Sequence, residues 1–202
     1  MNKERHGPRR DRQRCHRKSA NEPGHAHELT FSCYRRFPFF SRDRVCPWLV
    51  KSIEEAQTSL NFGVWAWVFM PDHIHLIVHP RHSRYDMAVI RRRIKEPVAR
   101  QALAWIRVNA PEWLAKLRRE RGGRTEHLFW QSGGGYDRNI TEGPTLLKMI
   151  DYLHENPVRK GLVGRSADWK WSSAAWFVQQ VEVPLAPDRI PPEWLMDSRL
   201  GP

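Results

Sequence analysis

From residue 27 the chain alternates. HELTFSCY sets Leu29, Phe31 and Cys33 on one side and polar residues on the other, the two-residue period of a half-buried strand. From about Val45 to Ser59 the period lengthens to that of a helix, with Trp48, Leu49, Ile53 and Ala56 on one face, and Asn61-Phe-Gly ends it. Two apolar runs follow, residues 64–69 (VWAWVF) and 73–79 (HIHLIVH), parted by Pro71-Asp72, a pattern that predicts an antiparallel pair of strands. The same period sets Trp65 and Trp67 on a shared face and places His73 at the start of its strand, near the sheet's edge. A second helix is expected over about residues 85–107, with Met87, Ile90, Ile94 and Val98 in a stripe and Pro97 inside it as a kink or a restart. Beyond a charged loop at 118–126 (RRERGGRTE) come LFWQSGGGYDRNIT, an apolar helix near 144–155, NPVRKGLV and DWKWSSAAWF. No internal repeat is visible.

The order strand–helix–strand–strand–helix implies an α+β domain: an antiparallel sheet with helices on one face, its other face open, and a C-terminal helical extension. Residues 1–24 read as a basic, disordered arm, 25–178 as the domain, and 179–202, with five prolines and no clear period, as a tail draped on the surface or free.

Charge narrows the partner. Lys and Arg number 34 against 22 acids, a formal net charge of +12, which argues for a polyanion, most often nucleic acid. Ten tryptophans exceed what a core of this size needs, and stacking on bases is another use for them. The cysteines, Cys15, Cys33 and Cys46, form no CxxC pair and no disulfide framework, which points to a reducing cytosol. No apolar run is long enough to span a membrane.

Two segments carry candidate chemistry. His73 and His75 lie one residue apart in a strand, so both imidazoles point to one face. They read as core histidines with partners, as a metal chelate, or as an acid–base pair. His79 continues the alternation as a possible third ligand. The second segment is QSGGGYDRNI, where three glycines precede Tyr136; were it helical, Asn139, three residues on, would share the tyrosine's face. Tyr152 falls in an apolar helical stripe and reads as core. Arg91, Arg92, Arg93 and Lys95 on the second helix, Arg138, and Arg159 and Lys160 after Asn156-Pro157 are candidate phosphate contacts.

FMPDHIHLIV, WQSGGGYDRNI, YLHENPVRKGLV and WKWSSAAW, in this order, together with LTFSCYRRFPF, resemble the REP-associated tyrosine transposases of the HUH single-tyrosine superfamily, over roughly residues 27–177. The resemblance implies a ferredoxin-like or RRM-like sheet. It also implies an enzyme that cuts and rejoins single-stranded DNA beside hairpins, in the cytoplasm and associated with the nucleoid. By the same resemblance His73 and His75 hold a divalent cation, Mg²⁺ or Mn²⁺, and Tyr136 attacks a DNA phosphate to leave a 5′-phosphotyrosine. The superfamily takes a polar third ligand from the tyrosine's helix, usually four residues on; from Tyr136 that is Ile140, so Asn139 is the nearest candidate. Single-stranded or hairpin DNA is the implied partner, with no small-molecule cofactor, and the chain as monomer or homodimer. Two other readings stand beside this one: a non-catalytic protein that binds DNA hairpins, and a zinc hydrolase using His73, His75 and His79, against which counts the lack of a glutamate near the pair.

Overall fold

The computed structural model describes residues 20–195. Most of the basic arm (1–19) and the end of the tail (196–202) lie outside the described residues. The chain runs through β1 (Ala26–Ser32), α1 (Val45–Leu60), β2 (Phe62–Met70), β3 (His73–Pro80), α2 (Met87–Asn109), α3 (Trp113–Leu117), β4 (Arg118–Arg121), β5 (Arg124–His127), β6 (Tyr136–Ile140), α4 (Gly143–His154), α5 (Asn156–Arg159), α6 (Ala174–Gln179) and α7 (Pro192–Leu195). Four strands form one antiparallel sheet in the order β2-β3-β1-β6, and β4 and β5 form a separate two-stranded ribbon.

The alternation read from the sequence sets which side chains enter the main core. Leu29 and Phe31 of β1, Phe69 of β2, and Ile74, Leu76 and Val78 of β3 pack against Leu49 and Ile53 of α1 and Ile90, Ile94 and Val98 of α2. Asp86 caps α2, its carboxylate accepting from the Ala88 amide at 2.7 Å. The helix passes through Pro97 as one element rather than restarting there.

The other face is only half open, a departure from the expected single layer of helices. Leu146, Met149, Ile150 and Leu153 of α4 cover Ala26, Trp65, Ala66, Val68, Met70 and Ile77 in a second, smaller core. A β-bulge between Val64 and Ala66 breaks the two-residue period of β2. It turns Trp65 to the second core and Trp67 to the main one, and both are fully buried. The two tryptophans therefore share no face and offer no stacking platform to DNA. The uncovered half of this face, over β1, β6 and the start of β3, is polar.

The charged stretch at 118–126 is not a loop but the ribbon, closed by Gly122-Gly123 at φ 56° and 75°. Two consecutive residues of positive φ are the requirement of a type I′ hairpin turn, which glycine meets at low cost. Within the segment read as a tail, Leu185 is buried, and the Asp188 carboxylate accepts from the Val64 amide at 2.9 Å and from Gln57 at 2.8 Å.

Leu76 is wholly buried and stands in the sheet between Leu29 and Trp67. Leu76→Ala should lower the stability by about 2–5 kcal/mol, read from the urea midpoint. Leu147→Ala, at an exposed position of α4, should change it by less than about 0.5 kcal/mol.

Candidate active site

His73, His75, Ile77 and His79 are the side chains of β3 that turn away from the main core. The rings of His73 and His75 lie with centroids 4.8 Å apart. His73 sits at a strand end, but β3 is an interior strand flanked by β2 and β1, not the sheet's edge.

Each imidazole is held by Nδ1. The Asp72 carboxylate lies 2.6 Å from Nδ1 of His73 and is itself paired to Arg36 at 2.7 Å. A carboxylate only accepts, so the proton sits on Nδ1 and a lone pair is left on Nε2. The Thr30 hydroxyl lies 2.9 Å from Nδ1 of His75, and Nε2 of His75 is buried with no hydrogen-bond partner. Burial holds the pKa of His73 below its ordinary value despite Asp72. Burial, with His73, Arg36 and Arg159 adding to it, pushes His75 down to about 3. Both rings are therefore neutral at pH 7, the form that binds metals. A buried polar atom without a partner costs about 1–3 kcal/mol, and oxygen-tethered imidazoles with free Nε2 atoms are the usual arrangement behind a metal ion. The pair fits a divalent cation.

Tyr136 begins strand β6, not a helix. Thr30 is the cross-strand partner of both His75 and Tyr136, so His75, Thr30 and Tyr136 form one row on the polar half-face. Gly135, at φ 79°, brings its backbone against the Thr30 carbonyl where a Cβ would clash. Because the segment has a two-residue period, Asn139 falls on the opposite face from the histidines. There its side chain is engaged with the backbone of Ala20 and with His25, and it is not placed to complete the site.

The helical arrangement that the resemblance calls for occurs instead at Tyr152 and Asn156, four residues apart at the end of α4 and the start of α5. Tyr152 is exposed rather than core. The Arg159 guanidinium stacks on its ring at 4.0 Å and donates to its carbonyl at 2.6 Å, and the same Arg159 is near enough to His75 to disfavour its protonation. Lys160 acts likewise on His73. Asn156 is buried; its Nδ2 donates to the carbonyls of Tyr152 and Leu153, leaving Oδ1 as the ligand-type atom.

The basic residues of α2 divide. Arg91 is bound to the buried Asp137 at 2.6 Å, and Asp137 also holds His27 at 2.9 Å. Lys95 donates to the Gly133 carbonyl and lies over Phe31. These two act inside the protein, while Arg92 and Arg93 remain exposed. Arg138 shares the polar half-face with Tyr136, opposite Glu28. His79 stacks on Trp65 of the second core with centroids 4.5 Å apart. Among the described residues no three His, Cys, Asp or Glu side chains are grouped to hold a metal, which removes the basis of the three-histidine zinc reading. Asp72, Arg36 and Thr30 escaped the sequence reading. Asp72 had a signal, standing next to His73; Arg36 and Thr30 join the site only through strand pairing and a turn. Arg35 and Arg36 both adopt positive φ, 52° and 58°, at a cost of about 1–3 kcal/mol each.

No family model matches the chain. A Haemophilus influenzae protein provisionally named a REP-associated tyrosine transposase is 24% identical over 159 residues, 75% of this chain and 84% of the relative. A solved REP-associated tyrosine transposase bound to a REP hairpin superposes with a TM-score of 0.61 at 19% identity, over 92% of this chain and 95% of that one. The chain is thus similar in sequence and in fold to REP-associated tyrosine transposases.

His154, on α4, is buried with Nε2 2.8 Å from the Ser173 hydroxyl, and burial lowers its pKa from 6.5 to about 4. Below pH 6.5 the unfolded chain takes up a proton that the folded one refuses. Stability is therefore full above that pH and falls as pH drops toward about 4. In EDTA, His154→Gln should flatten the decline of the urea midpoint between pH 7 and pH 4.5 relative to wild type. An equal decline in both proteins would refute the neutral, buried assignment.

Proposed function

We propose that this protein is a metal-dependent DNA strand transferase of the REP-associated tyrosine transposase type, acting on single-stranded DNA beside a hairpin. His73, His75 and Asn156 would be the ligands of a divalent cation and Tyr152 the nucleophile. The observation that carries the reading is the unpartnered Nε2 of His75 beside His73, on the face that receives the helix bearing Tyr152. The hairpin is taken over from the solved relative, which is bound to one.

Mg²⁺ or Mn²⁺, when bound, supplies Lewis-acid polarisation of the scissile phosphate. The rest falls to the protein. Arg159, Arg36 and Lys160 would give the site a positive field that attracts the phosphodiester and stabilises the charge that develops as the phenol of Tyr152 attacks. Tyr152 Oη forms a bond to phosphorus as the bond to the 3′-oxygen breaks. The phenol gives up its proton and the departing oxygen takes one, leaving a 5′-phosphotyrosine and a 3′-hydroxyl. The reverse step, with a different 3′-hydroxyl attacking the phosphotyrosine, rejoins strands and frees the enzyme.

Tyr136 supports a second assignment of the same role, because it shares a cross-strand row with His75 through Thr30. Its place on a strand without a polar residue four positions on is the weaker match. A non-catalytic hairpin-binding protein is the other alternative, and it leaves the free Nε2 of His75 without a use.

With Mn²⁺ and a hairpin carrying a single-stranded flank, wild type should form a covalent protein–DNA adduct visible on a denaturing gel. EDTA, Tyr152→Phe or the pair His73→Ala and His75→Ala should each reduce it to background, with hairpin binding retained. Tyr136→Phe should keep the adduct within a few-fold of wild type. Loss with Tyr136→Phe and retention with Tyr152→Phe would exchange the two tyrosines. Hairpin binding with no adduct from wild type would leave only the binding protein.

A further inference from the structure

The ribbon β4–β5 is unexplained by the site above. Its register pairs Arg118 with His127, Arg119 with Glu126, Glu120 with Thr125, and Arg121 with Arg124. Arg119 is neutralised by Glu126 at 2.7 Å and Arg118 by Glu120 at 2.5 Å. At the tip Arg121 and Arg124 stand directly opposite each other, both exposed, and neither forms an ion pair among the described residues. Like charges in a directly opposed cross-strand pair destabilise a hairpin. The two-residue Gly122-Gly123 turn beyond them holds the two backbones in that register. An anion held between the two guanidinium groups would remove the repulsion.

The ribbon's position selects the anion. Its base runs through Phe129 and Trp130 to Gln131, whose amide donates to the Ser32 carbonyl at 2.8 Å, and Trp130 bridges to Cys33. Ser32 is the cross-strand partner of His73. The ribbon is thus rooted at the end of the sheet that carries the histidine pair. Its strands of four residues span about 14 Å at about 3.4 Å per residue. A two-stranded β-ribbon fits the major groove of a duplex, which is about 8.5 Å deep.

We propose that the β4–β5 ribbon is a duplex-binding element whose Arg121 and Arg124 grip backbone phosphates of the hairpin stem, so that the strand leaving the stem is delivered to His73 and His75. This rests on the proposed function in taking hairpin DNA as the ligand. Phosphate contacts position without reading sequence, so the pair is expected to serve stems of any sequence equally.

The test measures binding of full-length protein to a fluorescent hairpin and to an unstructured strand of equal length across a salt series, in EDTA so that no cutting enters. The double variant Arg121→Ala with Arg124→Ala should shallow the log–log salt slope on the hairpin by about 1.8, two phosphates at about 0.9 each. The slope on the unstructured strand should not move. Arg121→Lys with Arg124→Lys, which keeps both charges, should restore the hairpin slope. An unchanged hairpin slope in the alanine variant, or equal shifts on both DNAs, would overturn the proposal. Adduct formation by wild type, scored separately with Mn²⁺, reports on the proposed chemistry alone: its absence would count against the strand transferase while the slopes still decide the ribbon.

Discussion

The hydrogen bond between the Thr30 hydroxyl and Nδ1 of His75 fixes how the candidate site is assembled. It exists because β1 lies beside β3 in a register that pairs these two residues, with β6 on the other side bringing Tyr136 into the same row. Without the hydroxyl, a buried imidazole would have both nitrogens unmet, a cost that would drive the ring to rotate or to draw in water. With it, the ring has one orientation and one committed nitrogen, and the other nitrogen is presented at a defined point. Asp72 does the same for His73 from the turn before the strand. Two neighbouring rings are thus aimed by two oxygens from different parts of the chain.

The opposite face of the same strands is organised by a different polar device. Asp137, buried on β6, ties Arg91 of α2 to His27 of β1, and His27 reaches the Tyr85 hydroxyl at 2.8 Å. Removing one member of such a buried group costs about 3–5 kcal/mol because a charge is left stranded. This is why the basic run RRRIK on α2 overstates the surface available to a polyanion. Counting arginines in a sequence cannot separate those that neutralise a buried carboxylate from those that meet solvent.

Much of the architecture was legible in the sequence, and the failures have identifiable physical causes. Strong periodicity located β1, α1, β3 and α4 closely, and the alternation of β3 correctly opposed Ile74, Leu76 and Val78 to the histidines. Trp65 and Trp67 were misplaced because a bulge has no signature in the alternation itself. Pairing Asn139 with Tyr136 rests on a helical period that YDRNI, short and polar, does not specify, since nothing local distinguishes a three-residue from a two-residue period there. That one ambiguity carries Asn139 to the wrong face. Tyr152 reads as core in the sequence because its apolar neighbours Leu153, Ile150 and Met149 mark the buried stripe, and an exposed ring at the edge of such a stripe looks the same in one dimension. Thr30 and Arg36 depend on tertiary pairing alone.

The second core joins two parts of the candidate machinery that share no covalent neighbourhood. The histidines ride on the sheet and Tyr152 on α4, and what sets the gap between them is the fit of Leu146, Met149, Ile150 and Leu153 against Ala26, Val68 and Ile77. Under the proposed function the two apolar cores therefore have different tasks. A change of side-chain volume beneath α1 or α2 is felt as a loss of stability, whereas the same change beneath α4 would also act as a spacer adjustment, resetting the reach of Tyr152, the proposed nucleophile. On the second face a larger residue in the sheet calls for a smaller one in the helix, because there two elements must keep a fixed separation as well as a filled interface.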